Sequence, residues 1–223
     1  MHNVVVSSAL LNMYGKFGEI IKARAIFDDL RTSRSGHLDA GAWNSMLNVY
    51  SVHGDCESAQ ELFDQMTLVS DATAIPGGHH RCAPNAITFV NLLNAFSHGG
   101  QPEPAVRVLE DMRVQYAVEP TVQHYNCVVD ALARSGHLEE AENFIRRMMK
   151  EGPPPNMITL VALLGACRWF GDKERFLANL HYAKALASQP EQLAALAVLE
   201  ANVLAEAGDV EAQSEVLLAM KEQ

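Results

Sequence analysis

Apolar side chains recur along this chain in short stripes with helical spacing, and single glycines separate the stripes. Ahead of five of these glycines lies a pair of apolar residues, with a further apolar residue three positions on. After four of them comes an alanine, and large apolar residues follow it at four and seven positions. Steps of three and four bring side chains onto one face of an α-helix. The pattern therefore predicts units of two helices joined by a glycine turn. The alanines are Ala23, Ala59, Ala105 and Ala141.

The turn glycines repeat at a nearly constant interval. They are separated by 36, 46, 36, 35 and 37 residues and are Gly18, Gly54, Gly100, Gly136, Gly171 and Gly208. A glycine adopts the left-handed conformation of such a turn at little cost. Each predicted hairpin has an apolar face that it cannot bury alone, and stacking the hairpins would bury that face. We therefore predict an all-α fold, a right-handed superhelical solenoid of six helical hairpins.

Two connectors are longer than the basic period requires. Residues 31–41 and 67–83 are rich in Gly, Ser, Thr and Asp, and the second also contains Pro76. Such composition predicts loops. Because the repeat continues on both sides of each connector, we interpret them as insertions between hairpins and not as domain boundaries.

Composition restricts the classes of function. Acidic residues outnumber basic ones by 27 to 17, which gives a formal net charge of −10. This balance excludes a nucleic-acid binder that is basic over its whole surface. A protein that binds nucleic acid through a local basic patch stays compatible with it. The four cysteines form no C-x-x-C pair, so we expect buried, reduced thiols and no zinc ribbon. No apolar stretch approaches the roughly 20 residues of a membrane span, so no membrane partner is expected.

The residues at the repeat boundaries resemble the pentatricopeptide-repeat pattern. In that family a proline and a polar residue end one repeat, and an aromatic residue followed by Asn opens the next first helix. The matching pairs are Pro84-Asn85, Pro120-Thr121, Pro155-Asn156, Trp43-Asn44 and Tyr125-Asn126.

Two further stretches resemble a narrower class of the family. The stretch from Ser8 to Gly18 resembles repeats of the plant-type PLS class, and Ala162 to Arg168 resembles an E-type motif. The resemblance implies four repeats over 1–156, at about 4–39, 40–85, 86–121 and 122–156. Two E-type motifs would follow over 157–223, with no deaminase-like DYW domain after them.

Family resemblance also implies a way of reading single-stranded RNA, one base per repeat. Each base would be read by an early first-helix residue together with the last residue of the repeat. The implied pairs are Ser8 with Asp39, Asn44 with Asn85, Val90 with Thr121, and Asn126 with Asn156. In the family's code, Asn with Asn favours cytosine over uracil, and Ser with Asp favours guanine. Val offers no donor or acceptor, so its pair would read weakly.

Other positions of the same pattern would hold the rest of each nucleotide. Val5 and Ile87 stand where the family stacks side chains against bases. Lys16 and Arg134 stand where it contacts phosphates. Only these two positions of the predicted RNA path carry a full positive charge, which implies weak electrostatic affinity for RNA.

The resemblance implies a specificity factor for organellar RNA processing, in mitochondria or chloroplasts. C-to-U editing is the specific process favoured, with the E-type motifs recruiting a deaminase or editing-factor protein in trans. The alternative is an acidic helical-repeat scaffold that binds proteins, which the net charge favours.

The sequence contains no arrangement of residues that would indicate an enzyme active site. We therefore expect no catalytic residues and no cofactor. His137-Leu138-Glu139 matches the H-x-E of zinc deaminases but lacks their P-C-x-x-C. His79, His80 and Cys82 lack the fourth ligand and the spacing of a zinc site, so no metal site is expected.

Overall fold

The computed structural model describes residues 4–32, 38–72 and 82–221. Within these ranges the chain forms twelve α-helices and no strand. The helices are α1 (Val4–Lys16), α2 (Ile20–Thr32), α3 (Ala40–His53), α4 (Cys56–Ala72), α5 (Ala86–His98), α6 (Pro102–Val114), α7 (Val122–Arg134), α8 (Leu138–Glu151), α9 (Met157–Trp169), α10 (Lys173–Leu186), α11 (Pro190–Glu206) and α12 (Val210–Lys221). The predicted all-α class is confirmed.

Among the described residues, five pairs of consecutive helices pack as hairpins, namely α1 with α2, α3 with α4, α5 with α6, α9 with α10 and α11 with α12. Each of these pairs turns at one of the predicted glycines, and Gly136, the sixth, joins α7 to α8. All six of these glycines have a positive φ, between 65° and 80°. At Gly54, for example, the backbone N–H donates to the last carbonyls of α3, those of Tyr50 and Ser51. The chain could not reverse so tightly with a β-carbon at these positions without strain. The prediction of hairpins from glycine spacing is therefore confirmed.

Most residues of the predicted stripes are buried in the core. The alanines of the second helices are fully buried, as are Met66, Met112 and Met148. Close approach of helices at an alanine lets the larger side chains on either side pack across the hairpin contact. Leu10 departs from the pattern, because 37% of its surface is exposed on the first hairpin.

Both predicted connectors are shorter than expected. Helix α4 continues to Ala72, so the prediction of a loop from residue 67 is wrong for its first six residues. The helix continues because Ser70 is buried and extends the stripe of Phe63 and Met66 at helical spacing. Likewise, α2 reaches Thr32, and Gly41 lies inside α3. His79, His80 and the rest of residues 73–81 lie outside the described residues.

The chain divides into two compact units, residues 1–131 and 132–223. In the first unit, α3 packs against α1 and α5 and so lies at the centre of the unit. In the second, α9 packs against α10 and α11 packs against α12. All four cysteines are buried free thiols, as predicted. None of the described helices combines the length and apolar character that a membrane crossing requires.

Candidate nucleic-acid interface

The polar residues predicted to end each repeat lie at the N-termini of the next first helices. Asp39, Asn85 and Asn156 are the N-caps of α3, α5 and α9. Each side chain accepts a backbone N–H of the first turn, from Ala42 at 3.0 Å in the case of Asp39. Such a cap satisfies a donor that the helix itself leaves without a partner. The residues assigned to base reading therefore also start helices.

This capping role could have been read from the sequence. Asn85 and Asn156 are each followed three residues later by a threonine, Thr88 and Thr159. In both cases the threonine hydroxyl accepts the N–H of the cap residue at 3.0 Å, which completes a capping box. A polar residue with a hydrogen-bonding side chain three positions on is the sequence signature of this arrangement.

Asn44 and Asn85 are 41 residues apart in sequence and lie side by side in the fold. The Asn44 Nδ2 donates to Asn85 Oδ1 at 3.3 Å. Asn85 Oδ1 also accepts the backbone N–H of Ile87 at 3.0 Å and that of Thr88 at 3.2 Å. The structure thus brings the two members of this predicted reading pair into hydrogen-bond contact, and their joint reading of a base stays a prediction.

Two buried residues of α5 hold Asn44 in place. The Thr88 Oγ1 donates to Asn44 Oδ1 at 2.7 Å. The Asn91 Nδ2 donates to the Asn44 backbone oxygen at 2.9 Å. The sequence prediction includes neither residue. The spacing of Thr88 from Asn85 indicates only a capping box, and the spacing of Asn91 does not distinguish it from core positions. Both the side chain and the backbone of Asn44 are therefore fixed by the following hairpin.

The Val90 pair has a different environment. Val90 is half-buried on α5, and Thr121 is exposed just before α7. The Thr121 N–H donates to His124 Nδ1 at 3.0 Å, and His124 Nε2 lies 2.9 Å from the Ala86 carbonyl oxygen. Because Nδ1 accepts, the ring is neutral and Nε2–H donates to Ala86. His124 therefore occupies the capping position that Thr88 holds in α5 and ties α7 to the start of α5.

Acid is expected to destabilise the fold through His124. Burial lowers the pKa of this histidine below its ordinary value of 6.5, and the Ala86 carbonyl opposes the shift only in part. Between the two pKa values the unfolded chain binds more protons than the folded one. The free energy of unfolding should therefore decrease as pH falls through about 6.5 and level off below the folded pKa.

Denaturant unfolding at about pH 7.5 and about pH 5.5 tests this expectation, with His124→Thr as the control. Threonine occupies the same position in α5 and α9, where its hydroxyl completes the capping box. The wild type should lose more stability on acidification than the variant. Equal losses would mean that the pH dependence does not come from His124.

The remaining predicted residues have the following places. Ser8 and Val5 belong to α1, but their side chains lie outside what the structure describes. Ile87 is 62% exposed on the first turn of α5, as a stacking residue would need to be. Lys16 and Arg134 are exposed at the C-terminal ends of α1 and α7. Asn126 is half-buried on α7.

Several basic residues of the second unit are occupied by ion pairs. The Arg175 Nη1 lies 2.5 Å from a carboxylate oxygen of Glu142. Arg168 pairs with Glu206 at 2.6 Å, and Lys173 pairs with Asp209 at 2.8 Å. The lysine side-chain hydrogen bond helps to hold the pKa of Asp209 below its ordinary value. These cations are therefore partly neutralised within the fold, which leaves less positive charge for phosphates.

A family model described as the pentacotripeptide-repeat region of PRORP matches residues 7–209. The chain belongs to the pentatricopeptide-repeat family. This membership confirms the resemblance drawn from the boundary residues. The PLS class and the E-type motifs remain predictions.

Similar proteins agree with the family and the fold. The chloroplastic pentatricopeptide repeat-containing protein ELI1 of Arabidopsis thaliana is 31% identical over 99% of this chain and 32% of its own length. The mitochondrial pentatricopeptide repeat-containing protein At1g56690 of Arabidopsis thaliana is 36% identical over 74% of this chain and 21% of its own length. This pentatricopeptide-repeat chain spans between about a fifth and a half of the length of the curated relatives it matches.

A solved structure has the same fold. The pentatricopeptide repeat protein PPR10, in complex with an 18-nt psaJ RNA element, aligns with a TM-score of 0.74 and 19% identity. The alignment covers 100% of this chain and 30% of PPR10. At this level of identity the likeness shows the fold, and it confirms the predicted solenoid of helical hairpins.

Proposed function

We propose that this chain binds single-stranded RNA and reads bases with pairs formed by a first-helix residue and the cap of the next first helix. The observation that carries the proposal is the contact between Asn44 and Asn85. Two amides that meet from neighbouring hairpins can address one base together. Ile87, exposed two residues after Asn85, supplies an apolar surface next to the pair for the face of a base. The relative PPR10, which binds RNA in its solved complex, supports the proposal.

The hydrogen bonds of the pair determine what it offers to a base. The Asn85 Oδ1 is already occupied by three N–H donors. Its Nδ2 has no acceptor among the described residues, so N–H donors remain available to RNA. Both bases present an O2 acceptor, but at N3 cytosine presents an acceptor and uracil an N–H donor. A pair that directs its donors at N3 therefore favours cytosine, in agreement with the family's code.

Asn85→Asp is expected to shift the preference at one nucleotide from cytosine towards uracil. A carboxylate keeps the acceptor that caps α5, and its charge suits a helix N-terminus, so the fold should tolerate the change. The variant loses both Nδ2 donors and gains an acceptor for the uracil N3–H. By analogy with other base contacts, the shift should be about 1–2 kcal/mol.

Competition between labelled oligonucleotides that differ at a single position measures this shift. Arg134→Ala is the matched control, because a phosphate contact carries no base information and should weaken all RNAs alike. If Asn85→Asp also weakened every RNA equally, the pair would not be a base reader.

We further propose that the protein acts in organellar RNA processing, specifically as a C-to-U editing specificity factor. The chloroplastic and mitochondrial names of its relatives support an organellar site of action. In this proposal the described residues contribute no catalysis, and a deaminase is supplied in trans. An apolar strip on α9 supports a protein partner: Ile158, Val161 and Trp169 are 66%, 45% and 84% exposed along one face.

The same strip and the net charge of −10 favour the competing proposal, a scaffold that binds only proteins. Titrating single-stranded RNA at two salt concentrations separates the two. An RNA reader with few phosphate contacts should bind at low salt and weaken with a shallow slope, about 0.7 per contact. A scaffold should show no binding at either concentration.

A further inference from the structure

The buried hydroxyl of Thr88 connects the two amides of the Asn44 pair. It accepts the backbone N–H of Asn85 at 3.0 Å and donates to Asn44 Oδ1 at 2.7 Å. Thr88 has no exposed surface, so it cannot touch RNA in this conformation. A specific effect of Thr88 on base preference, as distinct from a general effect on fold stability, would therefore pass through the two asparagines.

The arrangement fixes which way each amide faces. Asn85 Oδ1 must point to the first turn of α5, because two backbone N–H groups donate to it there. If the Asn44 amide rotated by half a turn, its oxygen would face that same Asn85 oxygen, and two acceptors would meet. The Thr88 hydroxyl supplies the donor that holds Asn44 Oδ1 in the other position. The orientation of the Asn85 amide, which caps α5, thus determines the orientation of the Asn44 amide.

We propose that Thr88 is a positioning residue that sets the base preference of the Asn44–Asn85 pair. This inference rests on the proposed RNA-binding function. By fixing the amide of Asn44, Thr88 keeps N–H donors, and not oxygens, available to the base. Without the hydroxyl, only the Asn85 oxygen opposes rotation of the Asn44 amide. Asn44 then presents its oxygen more often, and the pair accepts cytosine and uracil more equally.

The next hairpin offers an internal comparison. His124 holds the capping position equivalent to Thr88, but its ring reaches the Ala86 backbone oxygen and not the side chain of Val90. Val90 has no amide to orient. His124 therefore supports its helix without this second role, which makes it a matched control.

The test measures the ratio of affinities for RNAs with cytosine or uracil at the nucleotide read by Asn44 and Asn85. Thr88→Val removes the hydroxyl and keeps the shape, and we expect the ratio to fall by about fivefold or more towards unity. Thr88→Ser restores a hydroxyl and should restore the ratio. His124→Thr should leave the ratio at this nucleotide unchanged. A uniform loss of affinity in Thr88→Val, with the ratio unaltered, would mean that Thr88 only supports the fold.

A second measurement on the wild type does not depend on RNA or on variants that fold. Hydrogen exchange of the Asn44 side-chain amide, followed by NMR, should show one hydrogen protected by Asn85 and hindered rotation of the group. Exchange of both hydrogens at the rate of a free amide would overturn the positioning role. Absence of RNA binding by the wild type would instead overturn the proposed function, so the two failures are distinguishable.

Discussion

Gly54→Ala is expected to lower the free energy of unfolding by about 2–5 kcal/mol, well beyond the effect of the same change at Gly100. Both glycines turn a hairpin with a positive φ, 65° and 68° respectively. A left-handed conformation costs a residue with a β-carbon about 1–2 kcal/mol, and this cost applies at both positions.

The two sites differ in the space around the added carbon. At Gly54 a β-carbon would lie 3.1 Å from the carbonyl carbon and oxygen of His98, in the backbone of the next turn. At Gly100 nothing lies within 4 Å. Backbone yields less readily than a side chain, so overpacking at Gly54 should add about 1–3 kcal/mol.

Denaturant unfolding of the two variants measures the difference, since the strain is common to both and cancels. A clear excess for Gly54→Ala would show that neighbouring hairpins pack turn against turn at this point. Equal losses would mean that the contact between the turns relaxes freely, and that glycine is needed there for φ alone.

Features that depend on periodicity were predictable from the sequence. The glycine turns and the buried alanines repeat because each hairpin needs a tight turn and a close contact between its two helices. One pattern of spacing therefore describes all of them. The end of α4 was not predicted, because Thr67, Ser70 and Asp71 give the segment the composition of a loop and obscured the buried position of Ser70. There the packing of the helix outweighed the composition of the segment.

The candidate site was predictable only in its outline. The pairing of Asn44 with Asn85 follows from the repeat register of the family. The link through Thr88 does not, because it joins residues 44 positions apart whose contact depends on how neighbouring hairpins stack. His124 shows why spacing alone is insufficient: it shares the register of Thr88, yet its longer side chain reaches a different partner.

Trp43→Ala is expected to cost about 3–5 kcal/mol and to disturb the position of the neighbouring Asn44, the proposed base reader. Trp43 is among the largest fully buried side chains, and its ring packs edge to face on Phe27 of the preceding hairpin, with centroids 5.0 Å apart. Truncation leaves a cavity between two hairpins, where the surrounding backbone can collapse only in part. Because Asn44 is the next residue on α3, movement of this helix should also reduce base discrimination at the nucleotide that the proposed function assigns to Asn44.

Trp43→Phe separates the packing of the ring from its polar group. The indole N–H of Trp43 is buried and has no hydrogen-bond partner among the described residues. Removing it relieves a desolvation penalty of about 1–3 kcal/mol, which offsets part of the lost ring area. Thermal or denaturant unfolding should therefore rank the wild type and Trp43→Phe close together and far above Trp43→Ala. If Trp43→Phe were as unstable as Trp43→Ala, the stability at this position would depend on the full indole and not on the aromatic contact with Phe27.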